Sequence, residues 1–293
     1  MNSVFPHGAC ALPDWGVMRA QGPDAASFLH SQLTQDVTGL AMNEARLAGY
    51  CSAKGRLLAT FVVWREAADD YLLACSADVL PAALKRLRMF VLRAKCTLSD
   101  LSAERPLWGL VGDAAAGGGV PWRREATLLR LPDAERQARA LWLGPAAPDG
   151  PALPLAAWQW LEVHSAVPRI VAATSEQFVP QMVNLEVVGG VNFQKGCYPG
   201  QEVVARSQYR GSIKRRAFVF GSTAAAQPGQ EIYAAGDEQP AGMVVNAASY
   251  DGRHALLAEV KLAAMSAALR LGSSDGVALT SRTLPYPLPT AAE

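Results

Sequence analysis

The sequence predicts an α+β protein, with a largely antiparallel sheet and two helices in its first hundred residues and a small antiparallel β-barrel or sandwich at its end. Two patterns predict this. Between Trp15 and Leu101, short apolar runs joined by turns are interleaved with two segments whose apolar residues recur at helical spacing. From Ala217 onward only short β-type runs remain, divided by Gly, Pro and Asp-Gly turns. With 293 residues, 50% of them hydrophobic, the chain can bury the cores of two or three domains.

Residues 15–21 read as a strand. Gly22-Pro23-Asp24 then opens a helix with Asp24 as its N-cap and Phe28, Leu29, Gln32 and Leu33 at helical spacing. Residues 31–37 close it with polar side chains suited to lining a pocket. Strands over 45–51 and 57–65 flank a hairpin loop, Ser52-Ala53-Lys54-Gly55-Arg56, in which Gly55 supplies a positive φ. A strand over 71–75 follows. Asp78 is expected to cap a helix with an apolar face of Leu80, Leu84, Leu87 and Val91, and 95–101 reads as a further strand. Strands over 106–112 and 138–144 belong to a second unit. The Gly117-Gly118-Gly119 run and 145–154 read as loops, since no G-K-[ST] or G-x-G-x-x-G accompanies the glycines. Residues 154–163 form a helix with Leu155, Trp158 and Leu161 at helical spacing and Glu162 near its end. Strands over 217–220, 231–233, 242–246 and 255–260 follow, the last behind an Asp251-Gly252 hairpin turn. The end of the chain, around Pro285 and Pro289, is expected to be poorly ordered.

Composition narrows the function classes. The net charge of +1, with 18% charged residues, is a weak basis for gripping nucleic acid by bulk charge. A local basic patch is Lys214-Arg215-Arg216 with Arg206 and Arg210. The first residues carry no basic n-region followed by an apolar run, and nothing approaches the roughly 18 apolar residues of a spanning helix, so a cytoplasmic protein with no membrane partner is expected. Cys10, Cys51, Cys75, Cys96 and Cys197 are odd in number and scattered. They suggest neither a disulfide framework nor a zinc or iron–sulfur site of the chain's own, so no intrinsic metal is predicted. His7, His30, His164 and His254 lack ligand spacing and receive no role.

The densest chemistry lies in Val191-Asn192-Phe193-Gln194-Lys195-Gly196-Cys197-Tyr198-Pro199-Gly200-Gln201-Glu202-Val203-Val204-Ala205-Arg206. Pro199-Gly200 reads as the centre of a type II turn, with proline presetting φ and glycine taking φ > 0. Gly196 is expected to let the backbone pass close to a neighbour. Cys197 is the candidate catalytic group, as a redox thiol or a transient metal ligand, with Lys195 or Arg206 as the cation that favours its thiolate. The other four cysteines, in apolar or strand contexts, read as structural.

Lys195-Gly196-Cys197-Tyr198-x-Gly200-Gln201-Glu202, followed by Ala205-Arg206, resembles the signature of the YgfZ family, which is related in fold to the aminomethyltransferase (T protein) of the glycine cleavage system. Asp14-Trp15, Gln35-Asp36-Val37, the hairpin from Cys51 to Arg56, Trp160-Leu161-Glu162 and Phe178-Val179-Pro180-Gln181-Met182-Val183-Asn184-Leu185 fall in the expected order. The resemblance implies three domains around a central channel: 1–104 as the first segment of an α+β domain, 105–150 as an inserted second domain, 151–212 as a return segment carrying the cysteine loop, and 213–293 as a C-terminal antiparallel β-barrel.

The same resemblance implies tetrahydrofolate or a derivative in the channel, and a role in assembling or repairing iron–sulfur enzymes. Iron–sulfur enzymes or cluster-assembly proteins would be the partners. tRNA modification would be affected indirectly, and direct tRNA contact is not expected. Glu162 is then the candidate pterin anchor, because a carboxylate can accept both N–H donors of an aminopyrimidinone edge. A surface carboxylate on an amphipathic helix is the competing reading. Gln181, Asn184 and Glu186 are secondary candidates for this pocket, Trp15, Trp158 and Trp160 could stack or serve as core, and Arg206 or Arg210 could meet the folate tail. Gln201 and Glu202 could pin the cysteine loop. Residues 55–61 contain no carboxylate where the aminomethyltransferases carry a catalytic aspartate, so glycine-cleavage activity is not expected. The alternatives are a folate-dependent one-carbon transferase and a non-catalytic folate-gated scaffold.

Overall fold

A computed structural model describes residues 5–115, 120–209 and 213–289. The first sheet has the order Ala45–Cys51, Leu57–Ala67, Asp70–Ser76, Trp15–Gln21, Thr97–Asp100, antiparallel throughout. Successive side chains of a strand point to opposite faces, and here both faces are buried. Phe61, Val63, Leu73 and Cys75 pack beneath the helices Ala25–Gln32 and Leu80–Val91. Val62, Trp64, Leu72 and Ala74 join a second core with the next sheet and the return helix. Residues 61–64 are therefore one unbroken apolar run.

That next sheet has the order Gly8–Ala11, Trp108–Val111, Gln137–Trp142, Leu128–Ala134, Arg124–Glu125. Its edge strand comes from the start of the chain, Gly8 facing Val111 and Ala11 facing Trp108. Leu128–Ala134 holds Arg130 and Pro132, residues foreign to an inner strand, and the sequence reading placed no element there. Arg130 is buried with its guanidinium on the Leu131 and Arg139 carbonyls and on Asp133. The return helix, Leu155–His164, seats the Trp158 ring against Gly109, where a Cβ would come within 2.6 Å of it.

The C-terminal sheet has the order Val277–Ala278, Leu269–Leu271, Glu231–Ala234, Pro240–Tyr250, Arg253–Lys261, Arg215–Ser222, Thr280–Arg282. Its two edge strands are separated in sequence by Leu279 alone, so the sheet curls until its edges meet and forms a nearly closed seven-stranded barrel. Asp251 and Gly252, with φ of 51° and 69°, make the hairpin turn predicted for them.

Local expectations fail at three points. Asp24 precedes its helix without a side-chain cap; its Oδ2 instead accepts the Lys95 N–H at 2.7 Å. Asp78 likewise does not cap Leu80–Val91, and its Oδ2 accepts the Ala172 N–H at 3.0 Å. In both cases a cross-chain backbone donor outcompetes the local one. The segment between Pro285 and Pro289 is anchored by Tyr286, whose hydroxyl donates to the Ala166 carbonyl at 2.8 Å. The Gly117–Gly119 loop lies outside the described residues. Among the described residues no helix is long and apolar enough to cross a membrane.

The two glycine loops meet. A Cβ on Gly200, whose φ is +81°, would clash with the Ser52 carbonyl and reach 2.6 Å from the Gly55 Cα, whereas one on Gly196 would meet only His30 Nε2 at 3.7 Å. The close approach expected at Gly196 thus occurs at Gly200. Gly200→Ala should destabilise the protein by roughly 1–3 kcal/mol, and Gly196→Ala should be near neutral. Urea titrations of the two variants check this.

Candidate functional site

The cysteine loop is held from beneath by Thr34 and Asn192. The Thr34 hydroxyl donates to the Gly190 carbonyl at 2.6 Å and accepts the Gly49 N–H at 2.7 Å, while its carbonyl accepts the Asn192 N–H. Asn192 Oδ1 then accepts the N–H groups of Gln194 and Lys195. Beyond Cys197, the Gln201 N–H returns to the Tyr198 carbonyl across Pro199-Gly200, the predicted type II turn, and the helix Gln201–Tyr209 begins. Gln201 contributes here through its backbone, and the Glu202 carboxylate pairs with Arg206 at 2.9 Å.

Lys195 binds the frayed end of the helix Ala25–Gln32. Its Nζ donates to the carbonyls of His30 at 2.6 Å and Leu33 at 3.0 Å, which have no partner further along the helix, and lies 4.7 Å from the centre of the Tyr198 ring. Burial pulls the Lys195 pKa down to about 8, against the Asp36 and Cys197 charges, which favour the ammonium. Asp36 is the other end of this cluster. Burial alone would raise its pKa; hydrogen bonds from Thr38, the Gly39 N–H and His30, with the Arg46 charge, hold it down to about 2. His30 Nδ1 sits 2.9 Å from Asp36 Oδ1, an arrangement the spacing of His30 did not signal.

Cys197 is exposed, and Cys10, Cys51, Cys75 and Cys96 are buried. Burial pushes the thiols of Cys10, Cys51 and Cys75 up to about 12 and that of Cys96 to about 11, leaving them protonated and out of reach.

A narrow cleft of about 40 Å³ lies between the first two sheets and the return helix, lined by Trp15, Val62, Trp122, Arg139, Glu162 and Arg169 among others. Glu162 and Arg169 also line a more polar pocket of about 110 Å³ that continues past Gln159 and Asn246. Arg169 organises the wall between them. Its Nη2 donates to Asp14 Oδ2 at 2.6 Å and Glu162 Oε2 at 3.4 Å, its Nη1 to Ser76 Oγ at 2.9 Å, and its guanidinium lies 5.1 Å from the Trp15 ring centre. Burial raises the Glu162 pKa against the opposing Arg169 charge and the Trp15 indole N–H beside it. Asp14 Oδ1 is buried without a partner. Thr60, in the carboxylate-free stretch, reaches the same cleft, but its hydroxyl already accepts the Ile170 N–H at 3.0 Å.

Of the residues singled out from the sequence, Trp15 and Glu162 therefore share one cleft, and Lys195 and Cys197 share one loop. Trp158 and Trp160 are core, stacked on by Arg139 and Arg253. Gln181 and Asn184 do not line the cleft. Gln181 Nε2 donates to the Val204 carbonyl and Asn184 Nδ2 to the Ala217 carbonyl, each at 2.8 Å, tying the helix that follows the cysteine loop and the barrel to one buried turn. Glu186 pairs with Arg216 in the same region. Arg206, 69% exposed, is on the outer face of its helix, and Arg210 lies outside the described residues. The basic run is largely neutralised, because Arg215 pairs with Glu259 and Arg216 with Glu186. Arg169, Thr34 and Asn192 went unnoticed because nothing in their immediate neighbours signals a long-range role.

The fold places this chain in the aminomethyltransferase-like class. It superposes on the glycine cleavage system aminomethyltransferase T of Bartonella henselae with a TM-score of 0.65, covering 95% of this chain and 86% of that one at 16% identity. No family model matches the chain. It is 32% identical over 242 residues to the tRNA-modifying protein YgfZ of Edwardsiella ictaluri (strain 93-146), covering 74% of this chain and 72% of that protein. The chain belongs to the YgfZ family.

Two outcomes test the site's construction. Ellman's reagent should titrate one thiol in the native protein and five after denaturation, and none natively in Cys197→Ser. Arg169→Gln, which leaves the half-buried Glu162 and the partly exposed Asp14 without their cation, should cost about 2–3 kcal/mol in a denaturant titration.

Proposed function

We propose that this protein is a folate-binding accessory factor for the assembly or repair of iron–sulfur enzymes, with tRNA modification among the processes it serves. The tRNA connection follows from the printed name of its YgfZ relative, and the folate and iron–sulfur parts from the family resemblance. The observation that carries the folate reading is the Glu162 carboxylate, held by Arg169 in a largely apolar cleft beside the Trp15 indole.

Those groups suit a pterin. Glu162 would accept the paired N–H donors of the aminopyrimidinone edge, and Trp15 and Trp122 would cover the ring faces. The polar pocket past Gln159 and Asn246 would take the remainder of the molecule. Bound tetrahydrofolate supplies a carrier nitrogen for one-carbon groups. Among the described residues, this cleft offers the reacting end of such a molecule no free carboxylate from the strand Leu57–Ala67 to manage a proton. That favours an accessory role over a one-carbon transferase.

Cys197 would act at the surface, where a partner protein can reach it, with redox, thiol-exchange or transient metal chemistry. The Lys195 ammonium, two residues away, holds the loop to the first helix; with its pKa at about 8, that charge is lost as pH rises through 8.

Calorimetric titration with tetrahydrofolate should give saturable binding. Glu162→Gln, which loses a charge-assisted acceptor pair, should weaken it about 10- to 100-fold, since hydrogen bonds to charged groups contribute about 1.5–3 kcal/mol. Cys197→Ser should bind folate as the parent does and fail to support iron–sulfur enzyme activity in complemented cells. No binding by the parent protein would remove folate from the reading, and full complementation by Cys197→Ser would leave a scaffold.

A further inference from the structure

The net charge conceals a segregation. From Val79 to Ser99 the chain has five cations, Lys85, Arg86, Arg88, Arg93 and Lys95, and no Asp or Glu. None of the five forms an ion pair with any carboxylate among the described residues. This is the reverse of the 214–216 run, where two of the three cations are matched. The same segment exposes Met89, Phe90 and Leu92. Arg86 and Phe90, one turn apart on the helix Leu80–Val91, form a cation–ring pair at 5.7 Å.

Beside Arg86, on the same helix face, lies a cavity of about 240 Å³ walled by Leu58, Val79, Ala82, Ala83 and Ala172. The Tyr50 hydroxyl, on a residue 1% exposed, and the Arg86 guanidinium both line it and lie against each other. Burial raises the Tyr50 pKa, so it stays a donor. The exposed Asp78 carboxylate at the rim supplies an acceptor. A flat, partly apolar body with both donors and acceptors on its edge would complete this set.

We propose that this face of the helix Leu80–Val91 binds single-stranded RNA, with one base entering the cavity against Tyr50 and Arg86, a neighbouring base stacking on Phe90, and phosphates meeting Lys85, Arg93 and Lys95. Unpaired cations interleaved with an exposed aromatic form the platform that single strands use, and the stacking tolerates any base. An acidic protein partner would use the cations and the exposed side chains but would leave the adjoining cavity unfilled. The surface is separate from the folate cleft, so this inference stands or falls independently of the folate reading.

The test is fluorescence anisotropy of the full chain with a labelled unstructured RNA oligonucleotide and, in parallel, an unmodified tRNA transcript. Saturable binding is expected to both. For these three phosphate contacts, log Kd should rise with log salt with a slope of about 2. The double variant Lys85→Glu/Arg93→Glu should weaken binding more than tenfold. Phe90→Ala should weaken it about tenfold without changing the salt slope, and Tyr50→Phe should weaken it while leaving the thermal melt in place. Arg136→Gln, at an exposed site elsewhere, should bind like the parent. Absence of binding at low salt, or binding indifferent to the double variant, overturns the proposal and leaves the face to a protein partner. Binding that responds to the double variant but not to Phe90→Ala or Tyr50→Phe also overturns it, as mere attraction of a polyanion.

Discussion

The structure depends on one buried guanidinium. Arg169 reaches Asp14 and Ser76 at the ends of two strands of the first sheet, and Glu162 on the return helix. Its backbone N–H and carbonyl pair with the Asn246 side chain of the C-terminal barrel at 3.0 and 2.7 Å. Three parts of the fold thus converge on one residue. Despite burial, its pKa is raised above the ordinary arginine value by the Glu162 and Asp14 carboxylates, so the charge is secure. A buried cation with two carboxylates in reach is costly to desolvate and costlier to leave unpaired, which ties the register of these parts together. It also sets the state of Glu162, keeping an acid that burial would neutralise in contact with a permanent positive charge.

A second, smaller constraint shapes the thiol loop. The backbones at Gly55 and Gly200 pass so close that neither position has room for a side chain. The contact locks the cysteine loop onto the hairpin at one end, and the Lys195 ammonium locks it to the carbonyls of the first helix at the other. Between these anchors Cys197 faces solvent while the remaining cysteines are sealed in the core. The reactive group is therefore separated from the cleft by construction, with the thiol presented outward and the cleft closed in by the first two sheets.

Charge is apportioned in the same spirit. Runs of basic residues are poor guides to exposed positive charge, because Arg215 and Arg216 meet carboxylates brought from Glu259 and Glu186. The less conspicuous cations around the helix Leu80–Val91 have no such partners, and their charge is free to act on whatever approaches.

The sequence by itself determined the local architecture and the identity of the thiol. Apolar periodicity, glycine position and turn dipeptides are short-range signals, and they located the first-sheet strands, the helices Ala25–Gln32, Leu80–Val91 and Leu155–His164, the Asp251-Gly252 hairpin and the Pro199-Gly200 turn. The motif around Cys197 and the placement of Glu162 near a helix end were equally legible. Tertiary structure decided the rest, through contacts between residues 23 to 103 positions apart. Strand Gly8–Ala11 joined the sheet of residues 108–142, Asp24 and Asp78 capped distant backbone instead of their own helices, and Gln181 and Asn184 became joints between helix and barrel. Hydrogen-bonding side chains take the donor or acceptor that folding leaves unsatisfied, and that group is known only once the sheets and helices have been brought together.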